Sequence, residues 1–563
     1  MTACISCHDR GNAQDDGEIW ELRPLSYPRK HYSHRMDLDS ISSASPYQMH
    51  EQAPDTTGLS PAQQRGAGLF QQNCAFCHGA DATGKNWIGS FLEPHARDLT
   101  AEAITQQATE RLALVIRNGL EGTSMPAWKH VLSDDQIVEI RRTAFEVMSK
   151  VGFRIYHEGA RKMLKQAGAL VDGEIVKVPE HIVAECLRTA PKGWTIYDRQ
   201  GKRAMEVEGR KSYYGTSTAS PNTRDALSGE IHPTRVADIA IGAKVADALT
   251  NIDWVMPMGS VQDVPPTTAD VYEFEAVVTN TTKPIVFIGY TPRGVELVYE
   301  MAAEVAGGID HLRQRPFLIF YPEPISPLVF PADVVDRLFV CADLAMPQIQ
   351  GPTMQFGATA PMTLAGAIAQ GTAEALMCLV LAQLRKPGCP CSLGCNFAVF
   401  DMTAGLLSIA APESSLALAA QAEVAQSFGL PSWGLAGSTD AKVLDAQAGS
   451  ESAFSILAQG LSGLNLIHDV GYMDNGMVCS TAQLMLGNEN IGMAKRFIRG
   501  IEVNPETLAR ELIEKVGPGG HFLDQNHTYD HFKSELWMPG LMTRSAREDW
   551  QDQGAKDLAC RIQ

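Results

Sequence analysis

The chain has 563 residues, which is too long for one typical domain, so two or more domains are expected. Apolar residues make up 45% and charged residues 20%, the composition of an ordinary globular protein. The formal net charge of -18 argues against a nucleic-acid partner and against adsorption to an anionic membrane. No uninterrupted apolar stretch approaches the roughly 18 to 20 residues of a transmembrane segment.

Residues 1–58 are polar and are predicted to be rich in loops. Cys4, Cys7 and His8 form a C-x-x-C-H unit, the spacing that attaches haem c through two thioethers and one axial histidine. We interpret this segment as a possible truncated haem-binding unit. Its second axial ligand is left open, with these candidates: His31, His34, Met36 and Met49.

Residues 59–132 carry a second and better supported C-x-x-C-H unit, Cys74, Cys77 and His78. A predicted helix beginning at Leu59-Ser60-Pro61 leads into it, and a second predicted helix, residues 110–118, precedes Met125. A thioether opposite a histidine is the axial pair of electron-carrying cytochromes c. The segment resembles an all-α class I cytochrome c domain, with haem c held by both cysteines, His78 and Met125. Such a domain implies a redox partner.

Beyond residue 133 the pattern becomes a repeat of short apolar runs and helices, which predicts an α/β (β/α)8 TIM-type barrel over residues 133–563. Several runs end in glycine, proline or polar residues, and these ends form the active-site face of such a barrel. The predicted strands are 212–216, 254–259, 285–290, 317–322, 348–354, 392–398, 433–438 and 464–471.

Several separated motifs in this region, in the same order, make the chain resemble the trimethylamine methyltransferase family. The resemblance covers residues from about 133 to the end. The motifs are Phe145-Glu146-Val147-Met148-Ser149-Lys150-Val151-Gly152, Gly437-Ser438-Thr439-Asp440-Ala441-Lys442, Asp445-Ala446-Gln447-Ala448-Gly449, His468-Asp469-Val470-Gly471-Tyr472 and Pro518-Gly519-Gly520-His521-Phe522-Leu523.

The resemblance implies an enzyme that moves a methyl group from a methylated amine to the cobalt of a corrinoid on a partner protein. The chain has no pyrrolysine, which indicates the branch that demethylates quaternary amines such as glycine betaine. A quaternary cation is bound by aromatic faces, and Tyr290, Tyr321 and Trp433 are candidate substrate contacts. Asn396 is a candidate for binding a substrate carboxylate.

Three side chains at predicted strand ends inside these motifs are candidate catalytic residues: Asp440, His468 and Asp469. Each could instead cap a helix or orient a loop. Glu323 and Glu413 rank below them. The spacing Cys389-x-Cys391-x3-Cys395 allows a metal site, but buried thiols are favoured because no second ligand pair lies nearby.

Two further interpretations remain open. The chain could be an extracytoplasmic redox protein whose barrel only binds amines, or an artefactual fusion in which one half works. The barrel's family indicates a cytoplasmic location, whereas haem attachment indicates the periplasm. The chain as given has no room for a signal peptide before Cys4, so the location is unknown.

Overall fold

The computed structural model describes residues 50, 52–85, 95–105 and 131–562, and the chain divides into two compact units, residues 1–129 and 130–563. In the first unit Ser60 begins the predicted helix with a reciprocal capping box to Gln63. The candidate haem residues Cys4, Cys7, His8 and Met125 and the predicted helix 110–118 lie outside the described residues. Within residues 52–85 and 95–105 the helices are Pro61–Asn73, Ala75–His78 and Glu102–Thr105.

The second unit is built on a parallel sheet of seven strands, which confirms the α/β prediction. Residues 254 and 255 bridge its two edge strands, because Trp254 pairs with Gly215 and Val255 pairs with Ile285. The eight segments therefore form a ring, called the barrel below. Its strands are Tyr213–Thr216, residues 254–255, Ile285–Phe287, Leu318–Phe320, Gln348–Gln350, Cys391–Gly394, Ser432–Leu435 and Leu466–Val470.

One long helix follows each barrel segment and covers the outer face of the strands, while side chains inside the barrel cover the inner face. The strands are apolar runs because both faces are buried. Gly215 leaves the space that the Trp254 ring fills, since a Cβ there would lie 2.3 Å from the ring. The eight helices are Val236–Ala248, Ala269–Val278, Pro292–Ala306, Ala332–Asp343, Leu364–Arg385, Pro412–Ser427, Ala446–Ser462 and Thr481–Ile498. Shorter helices between them are Pro266–Thr268, Ile309–Gln314 and Asp474–Gly476.

The segment before the barrel supplies a floor at the N-terminal end of its strands. Ile196, Met205 and Val207 come from one antiparallel hairpin and pack against the side chains inside the barrel. The helices of this segment are Asp134–Glu146, Val147–Val151, Glu158–Gln166 and Glu180–Thr189. Its strands are Phe153–Ile155, Leu170–Asp172, Ile175–Lys177, Trp194–Tyr197 and Arg203–Val207.

The C-terminal ends of the barrel strands continue into loops that carry two small sheets. This end of the barrel, called the mouth below, is where the active sites of such folds lie. The strands of the loops are Asn222–Arg224, Ile231–Pro233, Val329–Phe330, Thr353–Phe356, Asn396–Asp401, Leu406–Ser408, Tyr472–Met473 and Val478–Ser480. After the last barrel helix come Pro505–Leu508, Arg510–Val516, Asn526–Glu535, Arg547–Asp552 and Leu558–Ile562.

The helix Asp134–Glu146 belongs to the second unit. Ser133 caps it, with Gln136 completing the capping box. Glu423 of the helix Pro412–Ser427 accepts the backbone N–H groups of Val131 and Leu132, both at 2.7 Å. A buried carboxylate thus fixes where the chain enters this unit.

The helix Leu364–Arg385 is long and apolar enough to cross a membrane, the one such helix in the parts of the chain that the structure describes. Most of its side chains are buried in the second unit, as in the core helix of a globular protein. Its Glu374 is fully buried and accepts hydrogen bonds from Ser326 Oγ at 2.6 Å and Leu328 N at 3.0 Å. These bonds hold the loop that carries the strand Val329–Phe330.

Burial raises the pKa of Glu374 from 4.5 to about 7, and its hydrogen bonds only partly oppose the shift. The folded state therefore keeps the Glu374 proton at a pH where the unfolded state has lost it. The resulting contribution to the free energy of unfolding is complete below pH 4.5 and is lost as the pH rises through about 7. By linkage the loss is of the order of 3 kcal/mol.

We expect Glu374→Gln to remove this pH dependence, because the amide does not ionise. Chemical denaturation between pH 4.5 and 8 should show the variant gaining stability relative to the unmodified chain as the pH rises. The exposed residue Glu413 offers a control, since Glu413→Gln should give a difference that is flat with pH. A flat difference for Glu374→Gln as well would show that Glu374 is ionised in the folded state throughout.

Candidate active site

The side-chain amide of Asn396 connects five strand ends at the mouth. Its Nδ2 donates to Tyr321 Oη at 2.6 Å and to Thr353 Oγ1 at 3.2 Å. Its Oδ1 accepts from Trp433 Nε1 at 3.1 Å and lies 3.0 Å from His468 Nε2. An indole N–H can only donate, so the orientation of the amide is determined, and His468 must carry a proton on Nε2.

Two aromatic rings pack beside this amide. The ring of Trp433 stacks on His468, with centroids 4.2 Å apart and planes 15° apart. The ring of Tyr321 lies 5.0 Å from that of Trp433. Gly351 leaves room for the indole, because a Cβ there would lie 2.7 Å from Trp433 Cδ1. The sequence-predicted residues Tyr321, Asn396, Trp433, His468 and Asp469 are therefore brought together by the fold.

Asp469 and His468 form a buried pair next to the amide. Asp469 Oδ1 lies 2.6 Å from His468 Nδ1, but the two atoms are not aligned as a hydrogen bond, and neither has another partner in residues 131–562. Asp469 adopts a φ of 78°, a strained conformation for a residue with a side chain. Buried polar atoms without partners in a strained segment are typical of a site that a ligand completes.

Glu323 adds a second carboxylate to this end of the barrel. Its Oε1 accepts from Tyr321 Oη at 2.7 Å and from Thr353 Oγ1 at 3.0 Å. Burial and the charges of Asp469 and Glu323 raise the pKa of Tyr472, and burial and the charge of Glu323 raise that of Tyr321. Both phenols therefore stay protonated, and both lie within the field of the two carboxylates.

The mouth cluster, which we define as Tyr321, Glu323, Asn396, Trp433, His468 and Asp469, differs in exposure from one member to the next. Tyr321 and Trp433 are almost fully buried under neighbouring side chains. Glu323 and the adjacent Tyr472 are only partly buried. A bound molecule would therefore meet Glu323 and Tyr472 first, while the buried rings position the amide and the imidazole. The predicted substrate contacts of Tyr321 and Trp433 stay predictions.

Tyr290 lies in a different group of side chains, at the ends of the second and third barrel segments. Its Oη is 3.1 Å from both carboxyl oxygens of Glu273 and 3.1 Å from Ser260 Oγ. Burial raises the pKa of Glu273 to about 8, so this carboxyl group is largely protonated at neutral pH. The structure does not join Tyr290 to the mouth cluster by any hydrogen bond or ring contact among residues 131–562.

Asp440 is also separate from the cluster. It accepts hydrogen bonds from Ser408 Oγ and, at 3.1 Å, from Ile409 N, so it ties the seventh strand's loop to the strand Leu406–Ser408. The predicted catalytic role of Asp440 stays a prediction, but these contacts are those of a residue that braces a loop.

Sequence reasoning ranked Glu323 low and did not single out Thr353 or Tyr472. Each follows a barrel strand directly: Glu323 after Leu318–Phe320, Thr353 after Gln348–Gln350 and Tyr472 after Leu466–Val470. Treating every polar or aromatic residue just after a barrel strand as a candidate site residue would have included all three.

In the first unit, the histidine of the second C-x-x-C-H unit is oriented by the backbone. His78 Nδ1 lies 2.9 Å from the carbonyl oxygen of Arg97, which fixes the ring, and the described part of this unit places no hydrogen-bond partner on Nε2, the nitrogen that would bind a metal. His78 ends the short helix Ala75–His78, and Cys74 immediately precedes that helix. The side chain of Cys77 is outside the described residues.

Metal sites built from protein ligands alone are not seen in the described ranges of the chain, where no three His, Cys, Asp or Glu side chains converge on one point. Cys389, Cys391 and Cys395 are free, buried thiols, as favoured from the sequence. Gln348 Nε2 donates to Cys389 Sγ at 3.1 Å, so at least one of these thiols is held by an amide.

The family model and the related sequences described next point to the same protein family. A family model described as trimethylamine methyltransferase matches residues 100–563. A trimethylamine methyltransferase of Desulfitobacterium hafniense (strain DSM 10664 / DCB-2) is 32% identical over 76% of this chain and 87% of its own length. A glycine betaine methyltransferase of Desulfitobacterium hafniense (strain Y51) is 30% identical over 76% and 90%.

Among solved structures, the monomethylamine methyltransferase of Methanosarcina barkeri is similar at 12% identity, with a TM-score of 0.41, over 76% of this chain and 93% of that chain. The family match covers most of the 563 residues and includes the entire barrel. The chain therefore belongs to the trimethylamine methyltransferase family.

Proposed function

We propose that the second unit transfers a methyl group from a quaternary amine to a corrinoid carried by a partner protein. The observation that carries this proposal is the mouth cluster, in which Glu323 and the buried Asp469 converge on phenol and indole rings. Carboxylates and aromatic faces together attract a bulky cation. The two relatives named for trimethylamine and glycine betaine support an amine as the methyl donor.

The chemistry required of the protein is modest when the donor is quaternary. The reduced cobalt of the corrinoid supplies the nucleophile that takes the methyl group. As the C–N bond breaks, its electron pair stays on nitrogen, so a neutral tertiary amine leaves and no proton has to be delivered. The chain's own task is therefore to bind the cation, orient one methyl group toward the open end of the barrel and exclude water.

Each part of the mouth cluster has a place in that task. Glu323 and Asp469 attract the positive charge, and the partly buried Tyr472 lies within the field of both carboxylates. Asn396 keeps a proton on His468 Nε2, and His468 Nδ1 and the Asp469 carboxylate face the same space. We assign Asn396, Trp433 and Tyr321 to positioning these groups.

A donor that itself carries a carboxylate would need a further partner. The Asn396 amide, predicted for that role, already has four neighbours, so it has no free donor for a substrate carboxylate. The residue Lys442 is mostly exposed and is held by the Asp440 carbonyl oxygen at 2.8 Å and by Asn475 Oδ1 at 2.7 Å. The cluster therefore favours recognition of the ammonium group over recognition of an attached anion.

The test is a methyl-transfer assay with the purified full chain, chemically reduced cobalamin and a panel of amines. We expect methylcobalamin to form, followed by its absorbance, with at least one quaternary amine. Trimethylamine and an amine-free sample serve as comparisons. Failure with every quaternary amine, in a protein that unfolds cooperatively, would contradict the proposal and favour a barrel that only binds amines.

We expect Glu323→Gln to weaken use of the quaternary donor about tenfold in kcat/KM, because removing one charge near a cation costs about 1.4 kcal/mol. Asp401→Asn is the matched control, since it neutralises an exposed carboxylate of the mouth strand Asn396–Asp401 that is bound to the backbone of Thr403 and Ala404 instead. Equal effects of the two substitutions, at equal thermal stability, would show that Glu323 does not face the substrate.

We also propose that the first unit holds haem c at Cys74, Cys77 and His78. The observation in favour is the orientation of His78, whose Nδ1 meets the Arg97 carbonyl and whose Nε2 has no hydrogen-bond partner among residues 52–85 and 95–105. The bound iron would supply one-electron redox chemistry, and the predicted second axial ligand is Met125. Two roles remain open for a haem-containing first unit. It transfers electrons in support of the methyltransferase unit, or it belongs to a fusion in which only one half works.

We expect the full chain, produced together with a cytochrome c maturation system, to carry covalent haem that a pyridine haemochrome spectrum detects. Cys74→Ala combined with Cys77→Ala should abolish the signal of this unit, because both thioether bonds are lost. Cys4→Ala combined with Cys7→Ala is the matched control and reports whether the first C-x-x-C-H unit is loaded. A spectrum without haem in the unmodified chain would refute the proposal and leave the barrel activity to be tested separately.

A further inference from the structure

The last strand of the barrel, Leu466–Val470, contains a bulge that brings two adjacent side chains together at the mouth. Neighbouring side chains of a regular strand point to opposite faces of the sheet. Here the pairing with the first barrel strand shifts register between Ile467 and Val470, and Asp469 has a φ of 78°. The Asp469 carboxylate therefore lies beside the His468 ring, with Oδ1 2.6 Å from Nδ1. Bulges next to active sites re-aim side chains in this way.

The two facing atoms of this pair are both hydrogen-bond acceptors. His468 carries its proton on Nε2, toward Asn396 Oδ1, so Nδ1 of the neutral ring presents a lone pair. The ionised carboxylate of Asp469 can only accept. Both side chains are buried, and neither atom has a hydrogen-bond partner among residues 131–562. Two buried acceptors side by side call for a donor from outside the pair.

The strand ends on either side of the pair do not supply that donor. The backbone N–H of Ser217 donates to the Val470 carbonyl oxygen at 2.9 Å, and that of Thr439 donates to the Tyr472 carbonyl oxygen at 3.1 Å, so both segments run alongside the bulged strand. The buried hydroxyl oxygens of Ser217 and Ser438 have no hydrogen-bond partner in the described barrel, so neither hydroxyl donates to the pair. A quaternary nitrogen carries no N–H, so the ammonium group of a methyl donor cannot donate either.

We propose that the His468–Asp469 pair binds a hydroxyl group of the methyl donor, so that the preferred donors are quaternary amines that carry a hydroxyl. This inference rests on the proposed function and adds the class of substrate to it. The hydroxyl donates its hydrogen to the acceptor pair, and the Glu323 carboxylate remains available to attract the ammonium charge. A carboxylate in place of the hydroxyl offers no hydrogen and places a second negative charge beside Asp469. Betaines are therefore disfavoured.

The experiment is calorimetric binding of choline and of propyltrimethylammonium to the full chain. The two ions carry the same charge and have nearly the same shape, but a methyl group replaces the hydroxyl in the second. We expect choline to bind at least about tenfold more tightly, because a hydroxyl loses a hydrogen bond to a charged acceptor when it is removed. Glycine betaine should bind more weakly than either ion, because its carboxylate meets acceptors only.

Two variants separate the hydroxyl contact from the attraction of the cation. We expect Asp469→Asn to reduce the preference for choline over propyltrimethylammonium to less than about threefold, because a neutral amide is a weaker acceptor than a carboxylate. Glu323→Gln is the matched control, since it should weaken the binding of both ions by the same factor and leave the preference unchanged. Thermal unfolding of both variants checks that they are folded, and the comparison of ligands on the unmodified chain requires no variant.

The outcomes distinguish this inference from the proposed function. Equal affinities of the unmodified chain for choline and propyltrimethylammonium would leave the pair to solvent and overturn the inference, while the recognition of a quaternary cation would stand. Tight binding of glycine betaine would also overturn it, because a donor or a cation would then have to face the carboxylate. Failure of both ions to bind would contradict the proposed function itself, and the inference with it.

Discussion

The structure of the candidate site depends on one side-chain carboxamide whose nitrogen and oxygen each have two hydrogen-bond partners. Asn396 donates to Tyr321 and Thr353 and accepts from Trp433 and His468, so a single side chain holds five strand ends in register. Because an indole can only donate, the orientation of this amide is fixed, and with it the tautomer of His468. The unaligned pair of His468 and Asp469 and the placement of Glu323 follow from that constraint.

The barrel supplies what this constraint requires. Parallel strands covered by helices bring side chains that are far apart in the chain to one end, while the hairpin containing Ile196 closes the other end. The mouth collects two carboxylates beside buried phenol and indole rings, and the hairpin closes the opposite end.

Much of this architecture could be predicted from sequence, because each buried strand is a short apolar run and the run repeats. All eight predicted strands coincide with barrel segments. Roles at the mouth were harder to predict. The motif around Asp440 does not indicate that its carboxylate accepts hydrogen bonds from Ser408 and Ile409. The sequence also does not indicate that Trp433 and Tyr321 are buried. Both features depend on contacts between residues that are distant in the chain.

The central claim is that the mouth cluster recognises the positive charge of a methylated ammonium group. The most direct measurement is calorimetric binding of choline and of its uncharged isostere, in which a tert-butyl group replaces the trimethylammonium group, to the full chain. The two ligands have nearly the same shape and differ in charge. We expect choline to bind at least about tenfold more tightly, since cation–π and carboxylate contacts favour the charged form. Equal affinities would contradict the claim.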